Sequence, residues 1–250
     1  MSQALIKGKQ PAIDILMFIS NIWSMNKLKV TPESNPRTIN QWILWAECLT
    51  IFFVFPVFIY LFRHFMAYRV VPILVLLGPA AFLYLKKVSS FDSAVFTRVI
   101  GMSPYFRSMS VMFLIIVPIF IGVTWIWMPE HFFRFPNERP AIWLIVMLLY
   151  PILAALPQEI LFRCFFFHRY KLLFSRPEVM IIVNGISFGL FHMFYNNWVA
   201  PVLSALGGCL FAWRYHRSQS LPVVAIEHAL WGNILFTIGM GWYFYSGSIQ

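Results

Sequence analysis

The chain has 250 residues, of which 60% are hydrophobic and 19% aromatic, while only 11% are charged. Soluble domains carry about a quarter of charged residues, so this composition excludes the soluble class and predicts an integral membrane protein. The net charge of +10 does not indicate nucleic-acid binding. The lysines and arginines lie in short gaps between apolar runs, as membrane-flanking anchors do.

The first 41 residues form a basic segment that precedes the long apolar runs. Their own apolar patch, residues 12–23, is short and is interrupted by Asp14, Ser20 and Asn21. A cleaved signal peptide needs an uninterrupted apolar core, so this patch is interpreted as an interfacial helix instead.

Seven apolar runs follow, and a helix needs about 17–25 residues to cross a bilayer. The runs are 42–62, 70–85, 109–128, 141–174, 179–194, 198–213 and 222–245. The fourth run is too long for one straight crossing, and Pro151 and Pro157 predict either one bent helix or two helical pieces. We therefore expect an all-α fold, a polytopic membrane helix bundle of seven to eight transmembrane helices.

The basic residues between the runs favour one net crossing for 141–174. With that count, lysine and arginine are more frequent in alternate gaps, which is the positive-inside pattern with a cytoplasmic N-terminus. Two full crossings would place Arg169, Lys171 and Arg176 on the opposite side. The predicted organisation is a cytoplasmic or interfacial segment 1–41, three transmembrane helices within 42–140, and the core helices within 141–250.

Apart from His168, Arg169 and Lys171 near the end of run 141–174, six acidic or basic side chains fall inside the apolar runs. They are Glu47, Glu159, Arg163, His192, Glu227 and His228. Glu47 is near the start of its run and can reach the interface. The other five lie in the last four runs, where charged groups cost several kcal/mol and usually serve function. A carboxylate, a guanidinium and imidazoles are the groups that proton transfer, metal binding or oxyanion stabilisation need.

Taken singly, these residues also fit structural roles. Glu159 and Arg163 are four residues apart on one helix face and can neutralise each other, and a lone buried histidine is commonly a hydrogen-bonded core residue. Zinc is geometrically allowed, because Glu plus two His can hold it. The chain has no His-Glu-x-x-His pair, however, so zinc is not favoured and no cofactor is expected.

The segments that carry these residues resemble the CPBP family, the CAAX-protease and bacteriocin-processing membrane proteins also called Abi. The family pattern is Glu-Glu-x-x-x-Arg, then Phe-x-x-x-His, then His-x-x-x-Asn. The similar stretches here are Gln158-Glu159 with Arg163, Phe188 with His192, and His228 with Asn233. A glycine-rich stretch, residues 204–208, lies between the last two and suits close helix packing. The resemblance covers residues 157–236.

The resemblance implies glutamate-dependent intramembrane proteolysis of a membrane-associated peptide or protein. Glu159 and His192 would activate a water, while His228 and Asn233 would face the oxyanion. Arg163 would orient Glu159, and Gln158 would position the water. The chain would then be a multi-pass protein of a prokaryotic plasma membrane, with the lipid bilayer and its substrate as partners and no nucleic acid.

The chain departs from the family pattern at two positions. Gln158 stands where the family has its leading Glu, and an amide can orient a water but cannot accept its proton. Gly232 stands at the expected Asn position, and Asn233 comes one residue later. Gln158 therefore keeps a second hypothesis open, a catalytically silent CPBP-like protein that acts as a binding, immunity or scaffold factor. A third, a transporter, would need polar residues that the first three runs lack.

Overall fold

The computed structural model describes residues 40–66, 68–99 and 103–245, and every regular element in these ranges is helical. The predicted interfacial helix within 12–23 lies outside the described residues. Seven long helices follow one another in the chain. They are α1 (Gln41–Leu61), α2 (Val70–Lys87), α3 (Ser103–Trp127), α4 (Pro140–Leu173), α5 (Pro177–Phe191), α6 (Val199–Ser218) and α7 (Leu221–Ile238).

Six short helical pieces connect or follow the long helices. They are Arg63–Met66, Ser93–Phe96, Pro129–His131, Arg134–Glu138, Met193–Tyr195 and Met240–Phe244. Polar caps begin several of the long helices. The Asn40 side chain accepts a hydrogen bond from the Trp42 N–H at 3.0 Å, and Ser220 accepts one from the Val223 N–H. These caps satisfy backbone donors that a helix start leaves free.

The outer surface of the bundle is apolar, as a bilayer requires. Trp42, Leu76, Leu114 and Trp125 are each at least 66% exposed. Six helical runs are long and apolar enough to cross a membrane, namely α1 to α4, α7, and α5 together with its following turn. The predicted all-α membrane bundle is therefore confirmed. The count of seven to eight crossings stays a prediction, because α6 is twenty residues long but ends in a basic turn.

Helix α4 is one continuous helical run and not two separate pieces. It contains two π-helical stretches, Pro151–Ala155 and Ile160–Phe165. The first begins at a proline, which has no N–H to donate and so favours a local change of helix pitch. Near the end of α4, the Arg169 guanidinium donates to both Glu47 oxygens, at 2.9 and 2.6 Å. The end of α4 thus lies beside the start of α1, as one net crossing requires.

Helices α5 and α6 pack closely through glycine. A Cβ atom on Gly185 would lie 2.2 Å from the Cys209 Sγ, and one on Gly208 would lie 3.0 Å from the Gly185 Cα. The two backbones can approach this closely only without side chains at these positions. This is the packing that the glycine-rich stretch predicts, and it brings α5 and α6 together around the candidate site.

The last two predicted runs differ from the helices of the structure. Arg214, which the sequence places in a gap, lies inside α6 and is only 1% exposed. Its guanidinium donates to both carboxylate oxygens of Glu227 in α7, at 2.8 and 2.7 Å. The pairing neutralises both charges, so an arginine can be buried there. The final run, in turn, ends at Ile238 because Gly239 adopts φ 113° and breaks the helix.

Candidate active site

A buried cluster of Glu159, Arg163 and His228 links α4 to α7. Glu159 Oε1 lies 2.7 Å from His228 Nδ1, within hydrogen-bonding distance. Glu159 Oε2 lies 3.1 Å from Arg163 Nε. The second contact is an ion pair and not a hydrogen bond, because neither Glu159 Oε2 nor Arg163 Nε has a hydrogen-bond partner. Its short distance still permits a strong Coulomb attraction, because Glu159 and Arg163 are fully buried.

Arg163 also connects α4 to α5 and α6. Its Nη2 donates a hydrogen bond to the Gly208 carbonyl oxygen at 3.2 Å. The guanidinium carbon lies 4.8 Å from the centre of the Phe188 ring and 5.5 Å from that of Phe211. These cation–π distances and the ion pair to Glu159 compensate the guanidinium for its loss of water. Arg163 is therefore fixed by contacts with α5 and α6, and it holds the carboxylate of Glu159 in place on α4.

His192 directly follows the last residue of α5, and its ring is held by the preceding helical turn. Nδ1 lies 2.8 Å from the Phe188 carbonyl oxygen. A carbonyl can only accept, so Nδ1 carries the proton and Nε2 of the neutral ring keeps a lone pair. His192 thus has the tautomer that a proton acceptor at Nε2 requires.

Both imidazoles border one cavity of about 1360 Å³, whose lining is mostly apolar. The Phe188 ring lies between them, with its centroid 4.8 Å from that of His192 and 5.5 Å from that of His228. The half-buried Gln158 and Tyr150 line the same cavity. Two histidines that the sequence places on different helices are therefore brought together with the amide of Gln158.

The remaining predicted site residues lie outside the cavity lining. Glu159 and Arg163 do not line the cavity. One Glu159 oxygen contacts His228 and the other contacts Arg163. Asn233 is half-buried, and its amide donates to the Met147 carbonyl oxygen of α4 at 3.1 Å. Gly232, the neighbour of Asn233, does line the cavity. Asn233 thus packs against α4. On α7 it is one residue beyond Gly232, which lies on the face that borders the cavity.

The arrangement of potential metal ligands is sparse. Within the described ranges, no group of three or more His, Cys, Asp or Glu side chains is placed to hold a metal ion. The Glu159 oxygens face His228 and Arg163, and His192 Nδ1 faces a backbone carbonyl. That the reaction needs no cofactor stays a prediction.

Two residues at or near the site were missed by sequence reasoning. Arg214 looked like a gap residue, and only its burial against Glu227 shows its structural role. Tyr150 lines the cavity with its ring centroid 6.1 Å from that of His228. No sequence signal distinguishes Tyr150, because it is one of 47 aromatic residues (27 Phe, 10 Tyr and 10 Trp) in an apolar chain.

The apolar bundle and the cavity that its two histidines border define a polytopic membrane protein with a candidate site between its helices. Residues 140–245 match a family model described as "Rce1-like: Type II CAAX prenyl endopeptidase Rce1-like". The match covers less than half of the chain, and it confirms the resemblance to the CPBP family that the motifs predict. No curated protein and no solved structure matches the chain.

Proposed function

We propose that this protein is an intramembrane endopeptidase that hydrolyses a peptide bond near the C-terminus of a membrane-associated, prenylated CAAX-type substrate. One observation carries the proposal: His192 and His228, each held at Nδ1 by an acceptor, border the same cavity as Gln158. The family description supports the substrate class. The mostly apolar lining of the cavity also suits a prenyl chain.

His192 is the proposed base. Its Nε2 accepts a proton from a water that Gln158 orients, and the water oxygen attacks the scissile carbonyl carbon. When the C–N bond of the tetrahedral intermediate breaks, His192 returns the proton to the leaving amine nitrogen. This route removes the difficulty raised by Gln158, because the amide only has to hold the water.

Glu159 is the proposed positioning residue for His228. The sequence predicts that Glu159 takes the proton from water, but its carboxylate faces Arg163 and His228 and does not line the cavity. These contacts favour a different role, in which the carboxylate holds His228 in one orientation and Nε2 faces the reacting groups. Asn233 has its amide on Met147, so we do not assign it a catalytic contact.

We further propose seven crossings, with α6 as the sixth, and a cytoplasmic N-terminus in the plasma membrane of a prokaryote. The contacts between α1 and α4 support the single crossing by α4. The basic gaps support the orientation. Reporter fusions after α4 and after α7 test this: the first is expected in the cytoplasm and the second outside.

The activity can be tested with purified protein in lipid nanodiscs. A farnesylated peptide with a CAAX C-terminus and its unprenylated counterpart are incubated with the protein, and the products are identified by mass spectrometry. We expect cleavage of the farnesylated peptide, with at least a 100-fold loss in His192→Ala. A chelator arm tests zinc, and we expect unchanged activity.

A catalytically silent relative is the second candidate, and Gln158 is the residue that favours it. In this case the wild type binds the farnesylated peptide but releases no product. If wild type cuts nothing while Gln158→Glu does, the proteolytic function of the native chain is refuted and the binding role takes its place.

A further inference from the structure

The Tyr150 ring of α4 packs against the face of α7 that reaches the cavity. Its ring centroid is 6.1 Å from that of His228 and 5.5 Å from that of Phe236. Between these two residues, at one helical turn from each, is Gly232. The tyrosine ring thus covers the glycine and reaches the imidazole from the side of α4.

The close approach depends on the missing side chain of Gly232. A Cβ atom built on Gly232 would lie 2.2 Å from Cε1 of Tyr150 and 2.4 Å from its hydroxyl oxygen. These distances are far below van der Waals contact, so no other residue at position 232 is compatible with this placement of Tyr150. The phenol oxygen therefore occupies the place where a side chain at position 232 would begin.

The Tyr150 hydroxyl is available as a donor. It makes no hydrogen bond with any residue that the structure describes, and the residue lines the same cavity as His192 and His228. A phenol keeps its proton at neutral pH and can donate it in a hydrogen bond.

The proposed reaction needs such a donor. His192 Nδ1 donates a hydrogen bond to the Phe188 carbonyl oxygen, and its Nε2 has to accept a proton from water. His228 is bonded through Nδ1 to Glu159, and whenever its ring is neutral its Nε2 likewise presents a lone pair. The amide of Asn233, which the sequence assigns to the oxyanion, is bonded to Met147 instead. A developing oxyanion in this cavity can therefore take a hydrogen bond from a further donor in the lining.

We propose that the Tyr150 hydroxyl, seated over Gly232, donates a hydrogen bond to the oxyanion of the tetrahedral intermediate. This inference rests on the proposed peptidase function. In this chain, a phenol from α4 takes the place that an amide side chain on α7 would otherwise occupy. Gly232 is then a requirement of the site, because it makes room for the donor.

The first test removes only the hydroxyl. Loss of one oxyanion donor lowers kcat about 10²–10³-fold in enzymes of this kind of chemistry. We expect a fall of this size for Tyr150→Phe with the farnesylated CAAX peptide, with KM changed less than about threefold and the thermal midpoint unchanged. Tyr215→Phe is the matched control, since Tyr215 is a buried phenol of α6 outside the cavity lining; it should cleave at the wild-type rate.

The second test exchanges the donor between helices. Tyr150→Ala removes the ring and is expected to lose activity as Tyr150→Phe does. Adding Gly232→Asn to Tyr150→Ala places an amide where the phenol oxygen was, and we expect at least a tenfold recovery of kcat. Gly232→Asn alone collides with Tyr150 and should not show this gain.

The outcomes separate the two proposals. If the wild type and Tyr150→Phe cleave the peptide equally well, the donor role of Tyr150 is refuted and the proposed peptidase function is supported. A wild type that cleaves nothing overturns both. Loss of activity in Tyr150→Phe with a raised KM and an unchanged kcat would assign Tyr150 to substrate binding and refute the donor role.

Discussion

Glu159 and His228, on α4 and α7, are joined by a 2.7 Å contact between carboxylate and imidazole at the buried centre of the bundle. On its other side the same carboxylate faces Arg163, so one acidic group serves two basic partners. Three buried ionisable groups therefore depend on one another, and removal of any one leaves the others without compensation. The first prediction concerns this dependence.

Glu159→Gln should lower both stability and activity. The variant leaves the fully buried Arg163 without its counter-ion, which costs about 3–5 kcal/mol in comparable buried pairs. It also replaces the carboxylate that orients His228, so kcat should fall about 10²–10⁴-fold. Thermal unfolding in nanodiscs and peptide cleavage measure the two effects.

Glu47→Gln is the control for that variant. Glu47 and Arg169 form a geometrically good pair, but each is about a quarter exposed, so its loss should cost only about 0–1 kcal/mol. Equal losses of stability in Glu47→Gln and Glu159→Gln would contradict the buried compensation described for the site.

The Arg214–Glu227 pair is predicted to be structural. Arg214 in α6 bonds both oxygens of Glu227 in α7 and lies 3.8 Å from the Met112 Sδ in α3. Arg214→Met should destabilise the bundle by about 3–5 kcal/mol, because Glu227 is left charged and buried.

A double variant distinguishes the pairing from a general need for charge. Arg214→Met combined with Glu227→Leu should regain most of the lost stability, since apolar residues replace buried ion pairs at little cost. Cleavage should follow the recovery of folded protein. A double variant less stable than Arg214→Met alone would show that Glu227 has another partner.

Replacement of Gly185, at the contact between α5 and α6, by alanine should destabilise the bundle. In Gly185→Ala the new methyl group would meet the Cys209 sulfur at 2.2 Å and its backbone nitrogen at 2.7 Å. Overpacking of this kind costs about 1–3 kcal/mol or more. The thermal midpoint should therefore fall clearly.

Gly122→Ala provides the comparison within a helix. A Cβ atom at Gly122 in α3 meets nothing within 4 Å among the described residues. Alanine is the better helix former, so this change should be neutral or slightly stabilising. A similar loss of stability for both substitutions would place the cause in glycine's backbone freedom and not in packing.

Asp92, in the connection between α2 and α3, should give a small pH dependence at acid pH. The Arg98 guanidinium, which bonds the Asp92 carboxylate, and then the Ala94 N–H at 3.0 Å, hold the pKa of Asp92 below its ordinary value. A carboxyl with a lowered folded-state pKa stabilises the fold above its unfolded pKa, which is about 3.9. This stabilisation is lost as the pH falls through the lowered pKa of the folded state.

The measurement compares thermal midpoints of wild type and Asp92→Asn across pH. Their difference should be constant above about pH 5, shrink below about pH 4, and vanish once the pH is below the folded-state pKa. Asp92 is mostly exposed, so the difference should be small throughout. A difference that grows toward acid pH has the wrong sign and would refute the pairing.

The sequence determined the class of fold and the approximate place of each helix. An apolar run of sufficient length has to be helical in a bilayer, because every backbone N–H and C=O must be satisfied within the segment. Pro151 likewise predicted a local irregularity in α4, which is the π-helical stretch that begins there, since proline acts on its own helical turn. Such effects are local, so composition and spacing are enough to find them.

The candidate site could be predicted only as a set of residues. Ionisable groups inside apolar runs identified Glu159, Arg163, His192 and His228, because their cost in a membrane is independent of their neighbours. Their roles depend on how each helix is rotated and how closely it approaches the next, and no single segment carries that information.

Tertiary structure decided which groups face the cavity. It turned the Glu159 carboxylate toward His228, buried Arg214 on Glu227, and placed the Tyr150 hydroxyl over Gly232. Each of these contacts joins two different helices, and a rotation of one helix by one residue, about 100°, would remove it. Local pattern selects the helices, whereas the packing between them selects the chemistry.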